Sequence, residues 1–319
     1  MDLKQLGDIK RLNKPNGKVD VIFDTDTFNE IDDQYALAYL INSSEKICIK
    51  EIIAAPFFNA KVKNVQEGME RSFDEIHKIL RLMNRTELDE LVFKGSDRFL
   101  ESETVGVESE GIDRLIRLSR NYNRENPLYV VGTACATDIA SAILIDPTII
   151  NRVVVVWLGG HAHEWTTDSQ FDLWPGYSND EFNLMQDIKA GRVLFDAVVP
   201  LVQLPCMGVV SGFTTTGPEL EYWLRGKNAL CDYLLDVTKN EAKSDGMKTT
   251  WSREIWDVTA VAWLLDGKFM WDKFVPAPMP QFDGSYSIEQ NRHLIKYVYY
   301  IDRDNLFFDL FKKLTKSGE

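Results

Sequence analysis

At 319 residues the chain is long enough to bury one large α/β core, and a content of 45% hydrophobic and 27% charged residues excludes a disordered polymer. A formal net charge of -13 with no Lys/Arg run argues against a nucleic-acid partner. No stretch reaches the roughly 18 apolar residues of a membrane span, no apolar signal-peptide core opens the chain, and Cys48, Cys135, Cys206 and Cys231 are too scattered for a zinc site. Buried thiols in a reducing, cytoplasmic setting are expected, with no membrane partner.

The apolar run from Val19 to Phe23 ends in Asp24-Thr25-Asp26, which predicts a buried strand delivering carboxylates at its C-terminal end. Asp32 and Asp33 then open the helical run DDQYALAYLI. Apolar runs at 47–55, 128–132, 152–158 and 200–205 predict further strands, and the stretches 62–83, 109–121, 136–145 and 185–197 repeat apolar residues at helical spacing. Alternation of this kind predicts an open, mainly parallel sheet with helices on both faces. The polar region 214–253 breaks the alternation, with Trp223 and Trp251 near its ends, and is a candidate lid within a single domain spanning 1–319. SYSIEQ and HLIKYVYYID flank Asn291-Arg292 and predict a C-terminal antiparallel hairpin, after which FFDLFKKL closes the chain as an amphipathic helix.

Asp24, Asp26, Glu30, Asp32 and Asp33 crowd beside that first strand, and carboxylates so close repel one another unless protons or a cation compensate. Helix capping accounts for one of them, not for all. A hard divalent ion accounts for the set, and Ca²⁺, which accepts six to eight oxygens in flexible geometry, suits it better than Mg²⁺.

DTDTFNEIDDQYAL resembles the opening motif of the inosine-uridine-preferring nucleoside hydrolase family. The resemblance continues in order through VVGTACATDIASAILIDPTI, RVVVVWLGG, DEFNLMQDIKAGRVLF and WDVTAVAWLLD. It implies Ca²⁺-dependent hydrolysis of the N-glycosidic bond of a small-molecule nucleoside or riboside, by a protein that is commonly a homo-oligomer. Under that resemblance Asp26 is a metal ligand and the general base, Asp33 and Asp257 are further carboxylate ligands, and Thr137 gives its backbone carbonyl. Asp32, Asn59, Glu181 and Asn183 then hold the ribose and stabilise its developing positive charge. Capping or turn roles are the plainer alternatives for Asn59, Glu181 and Asn183.

Several positions depart from the family pattern. TFNEI replaces the usual Pro-Gly turn and lengthens the path from Asp26 to Asp32, so Asn29 and Glu30 are expected to add a polar wall to the pocket. Thr137 is followed by Asp138 instead of the usual Asn. Trp256 stands before Asp257 where many members place the histidine that helps the base depart; it is expected to contact the substrate by stacking. His161, His163 and Glu164 are the replacement acids to consider, while His77 and His293 read as structural. Trp157, Trp165, Trp174, Tyr177, Tyr222, Trp223 and Trp251 are further aromatics from which a base sandwich could be drawn. Two other functions compete: a non-catalytic riboside-binding relative, because that histidine is missing, and a haloacid-dehalogenase-type phosphatase, because FDTDTF also resembles its Asp-x-Asp strand end.

Overall fold

Eight strands share one sheet: β1 (Val19–Thr25), β2 (Ile47–Ala54), β3 (Val92–Lys94), β4 (Leu128–Gly132), β5 (Val153–Leu158), β6 (Leu201–Leu204), β9 (Met270–Pro276) and β12 (Leu294–Ile301). Two short antiparallel pairs lie outside it, β7 (Thr214–Thr216) with β8 (Ser252–Glu254) and β10 (Met279–Pro280) with β11 (Tyr286–Ser287). The helices are α1 (Asp32–Ile41), α2 (Val65–Leu82), α3 (Glu110–Ser119), α4 (Thr137–Ile145), α5 (Phe182–Gln186), α6 (Ile188–Asp196), α7 (Gly217–Leu224), α8 (Ala229–Ser244), α9 (Val258–Trp263) and α10 (Arg303–Thr315). This computed structural model describes residues 9–164, 180–244, 251–265 and 268–316.

The sheet runs β3-β2-β1-β4-β5-β6-β12-β9, with every pairing parallel except β12 with β9. Its central strands β4 and β5 are apolar throughout because both faces are covered. Ile22, Val130 and Val155 enter one core, while their neighbours Phe23, Val131 and Val156 enter the other. Helix α1 has no solvent face at all: its ten residues are buried, including Asp32 and Asp33. Strand order reverses between β1 and β4, where Asp24 pairs with Gly132. Crossovers leave β1 and β4 toward opposite sides of the sheet, and this opens a crevice at their C-terminal ends.

The mainly parallel sheet agrees with the sequence, and so do antiparallel strands near the C-terminus. Their partners differ. HLIKYVYYID forms β12 but pairs with β9, and Tyr286–Ser287 pairs with β10. The sequence hides β9 because charged and apolar residues mix along it and it ends in Pro276, with Pro278 and Pro280 just beyond; a strand at the sheet edge tolerates a proline that an inner strand does not. Within the 214–253 segment, α7 and α8 are packed into the core through Leu220, Leu224, Leu230 and Leu234, and residues 245–250 lie outside the described residues.

Candidate active site

The crevice holds a cavity of about 160 Å³, reached by the loop after β1, the ends of β4 and β5, the loop after β6, and the starts of α1, α5 and α9. Asp26, Asp32, Asp33 and Asp257 meet at its floor. Carboxylate oxygens of Asp32, Asp33 and Asp257 all lie within 4.8 Å of one another, and all three side chains are buried. The Asp257 N–H donates to Asp32 Oδ2 at 3.2 Å, joining the start of α9 to the start of α1. Asp33 Oδ1 accepts from the Thr25 and Thr133 hydroxyls, the latter at 2.8 Å. Both oxygens of Asp26 are buried with no protein hydrogen-bond partner.

Burial holds the acids of Asp26, Asp32 and Asp257 well above the usual carboxylate range, and the negative charge of their neighbours adds to it. Asp33 is raised less, because the Thr25 and Thr133 hydroxyls stabilise its charge. Orphaned oxygens on Asp26 beside three converging carboxylates form an all-oxygen donor set, which fits a hard divalent cation. Below the floor Asp24 faces Asp138, whose Oδ1 accepts from Ser96 N at 2.9 Å. Burial and this pairing raise Asp24 well above normal, and burial brings Asp138 to about 6. Gly95 makes room for the pair: a methyl there would stand 2.0 Å from Asp138 Oδ2.

On another side of the cavity, Glu181 is both a cap and a wall. It accepts from Gly160 N at 2.6 Å, Asn183 N at 3.1 Å and Leu184 N at 2.8 Å, and burial still pushes its acid to about 7. Asn183 Nδ2 donates to Thr133 O at 3.0 Å and Leu158 O at 3.1 Å, so what it offers a ligand is Oδ1, an acceptor. Asn59 does not line the cavity; it donates to Asn29 Oδ1 at 2.8 Å and accepts from Lys61 N at 2.8 Å, a turn that fixes Asn29, which does line it. Thr137 also lies outside the lining, its hydroxyl donating to Asp187 at 2.8 Å, whereas Thr133 is inside.

At the mouth stand Trp256 and Glu30. Arg253 Nη2 donates to Glu30 at 3.3 Å and to Glu241 at 2.6 Å, and the Arg253 guanidinium carbon lies 5.5 Å from the Trp256 ring centre. Burial pushes Glu30 up to about 7 against the pull of Arg253. The replacement acids are turned elsewhere. His161 is fully buried, its ring nitrogens 3.0 Å from Ala162 O and 2.8 Å from Gly284 O; His163 Nε2 meets Gln203, and Glu164 meets Tyr297 and Lys273. Trp157 is core, with Nε1 donating to Ala134 O at 2.9 Å, and Trp223 stacks on Phe311. Trp165, Trp174 and Tyr177 lie outside the described residues.

Sequence reasoning missed Thr25, Thr133 and Arg253. Thr25 stands between Asp24 and Asp26 at a strand end, which is an available signal; Thr133 and Arg253 have none, because the carboxylates they meet at the cavity, Asp33 and Glu30, lie far off in the chain.

The sequence matches the family model of inosine-uridine preferring nucleoside hydrolase over residues 21–302. Among solved structures, a plant nucleoside hydrolase superposes with a TM-score of 0.71 at 16% identity, covering 95% of this chain and 100% of the other. A purine-preferring ribonucleoside hydrolase from Gardnerella vaginalis gives 0.70 at 18% identity, covering 93% and 98%. An inosine-uridine preferring nucleoside hydrolase from Bacillus anthracis gives 0.65 at 16% identity, covering 95% and 100%. At such identities the likeness of structures establishes the fold.

Proposed function

Because the chain belongs to the inosine-uridine preferring nucleoside hydrolase family and is thereby an N-glycosyl hydrolase, we propose that it cleaves ribonucleosides or related ribosides to ribose and free base, with Ca²⁺ as its cofactor. The observation that carries this is Asp26, a buried carboxyl with both oxygens unpartnered, set beside Asp33 and Asp257 at the floor of the cavity. Asp26, Asp33 and Asp257 would hold the ion; Thr137, whose carbonyl the family resemblance adds to them, starts α4 just outside the cavity lining. When bound, the ion supplies the positive charge that keeps these carboxylates ionised and makes a nearby water more acidic.

Asp26 takes the proton of the water that attacks C1′ of the sugar. As the C1′–N bond lengthens, positive charge grows on the ring, and the negative potential of Asp32 and Glu181 stabilises it. Asn183 Oδ1 and Asp32 accept from ribose hydroxyls, which positions C1′ over Asp26. A phosphatase of the haloacid-dehalogenase type gives way to the family match.

Free thiols at Cys48, Cys135, Cys206 and Cys231 support the cytoplasmic placement, and among the described residues no helix is long and apolar enough to cross a membrane. A homo-oligomer built from single-domain subunits completes the proposal. The test is release of reducing sugar from a panel of ribosides and 2-deoxyribosides, with and without Ca²⁺. Ca²⁺-dependent release from ribosides is expected; binding without release would leave a riboside-binding protein.

A further inference from the structure

We infer that the site favours ribosides whose leaving group is attached through a positively charged aromatic nitrogen, the pyridinium ribosides being the simplest case. This rests on the ribohydrolase reading above.

Three observations converge on that substrate class. First, among the described residues no histidine, lysine or arginine lines the cavity. An ordinary nucleobase departs as an anion unless something protonates it, and the nearby imidazoles are committed elsewhere: His161 to two carbonyls, His163 to Gln203. Trp256 does line the cavity, and its Nε1–H is buried without a partner, but an indole donates hydrogen bonds and does not give up its proton at neutral pH.

Second, the wall is acidic. Besides the floor aspartates, Glu30, Asp180 and Glu181 line it. A divalent ion would offset two of the seven carboxylates in the lining, and Arg253 and Lys61, which both act on Glu30, one each. A cation entering the cavity is attracted, and an anion leaving it is opposed by the same field until it is clear.

Third, Glu30 is fixed in place. Its side chain is held by Arg253, its carbonyl accepts from Gln34 Nε2 at 3.3 Å, and the preceding Asn29 carbonyl accepts from Lys61 Nζ at 2.6 Å. The longer loop thus presents a carboxylate beside an indole at the mouth, a pairing that suits a flat cation.

The chemistry then closes without an acid. Water oxygen bonds to C1′ and its proton passes to Asp26. The C1′–N bond breaks with its electron pair staying on the ring nitrogen, so the positive ring leaves as a neutral heterocycle.

The experiment compares kcat/KM at pH 8, with Ca²⁺ present, for nicotinamide riboside, its uncharged dihydro form, inosine and 4-nitrophenyl riboside. Nicotinamide riboside should exceed both inosine and the dihydro form by at least about 100-fold, and Glu30→Gln should lower the ratio of nicotinamide riboside to 4-nitrophenyl riboside by about tenfold. If 4-nitrophenyl riboside is cleaved but nicotinamide riboside is no better than inosine, the inference falls and the ribohydrolase stands. A Glu30→Gln enzyme slowed on inosine and unchanged on nicotinamide riboside would make Glu30 the leaving-group acid and also overturn it. Cleavage of none of the four would overturn both. The wild-type ratio of charged to dihydro substrate needs no variant, so poor folding of Glu30→Gln cannot mask the answer.

Discussion

Arg253 lies with its guanidinium carbon 5.5 Å from the centre of the Trp256 ring, so a side chain outside the cavity supports one of the walls inside it. The same guanidinium is bonded to Glu241 at 2.6 Å, with little of either side chain exposed. Arg253→Met removes the cation that joins Glu241 to Glu30, leaving Lys61 Nζ 3.4 Å from Glu241, and a loss of about 3 kcal/mol in folding stability is expected. Urea unfolding measures it. Arg253→Lys should recover part of that stability but not the planar contact with Trp256, so its KM should stay raised, by roughly tenfold.

Removal of the divalent ion should lower activity and stability together. Asp26, Asp32, Asp33 and Asp257 are then like charges confined in one buried space, relieved only by protons. Ca²⁺ at a thousand times its Kd would add about 4 kcal/mol to folding stability. Thermal unfolding with chelator, then with Ca²⁺ restored, reads this directly; an unchanged melting temperature would refute the metal assignment.

Asp26→Asn keeps an oxygen at the position but cannot accept a proton. Turnover should fall by about two to four powers of ten, with a smaller loss of bound metal. Metal content by elemental analysis beside single-turnover rates separates the two effects. Equal turnover in the variant would place the base elsewhere.

Glu181 gives a pH dependence of stability with a definite sign. Its acid is raised from 4.5 to about 7 in the folded protein, chiefly by burial, so the folded state binds the proton more tightly than the unfolded one. The contribution is therefore whole below about pH 4.5 and is lost as pH rises through about 7, amounting to at most about 3 kcal/mol. Glu181→Gln has nothing to ionise there. In chelator, the stability difference between variant and wild type should move in favour of the variant between pH 5 and pH 8, as measured by urea midpoints.

The parts of this molecule that were legible in the sequence are those fixed by short-range pattern. Val153–Leu158 and the Val21–Phe23 stretch of the first strand are buried on both faces and therefore read as apolar runs, and the carboxylates that follow the latter stand where the crevice opens. Long-range pairing was not legible. Nothing in HLIKYVYYID says that its neighbours are β6 on one side and a proline-marked β9 on the other. Nor does a histidine just past a strand end announce whether it turns toward the cavity; His161 turns instead to Gly284 O and stacks on Tyr286 at 4.0 Å, because that loop packs against it. Asn59 was half legible. Its family position suggested the sugar and its turn-forming chemistry suggested the backbone, and the contacts with Lys61 N and Asn29 are those of the turn.

The bond from Asp257 N to Asp32 Oδ2 spans 225 residues, and this has a consequence for how the protein is made. Synthesis delivers Asp26, Asp32 and Asp33 early, but their counterpart emerges only after most of the chain. Until then no nascent fragment can assemble the full set of oxygen donors, and the early aspartates are left as exposed, mutually repelling acids that favour the unfolded segment. Binding of the proposed ion would therefore come late and act as a check on completeness: a truncated or misassembled chain would lack the cation and the stabilisation it brings, and would stay open to proteolysis.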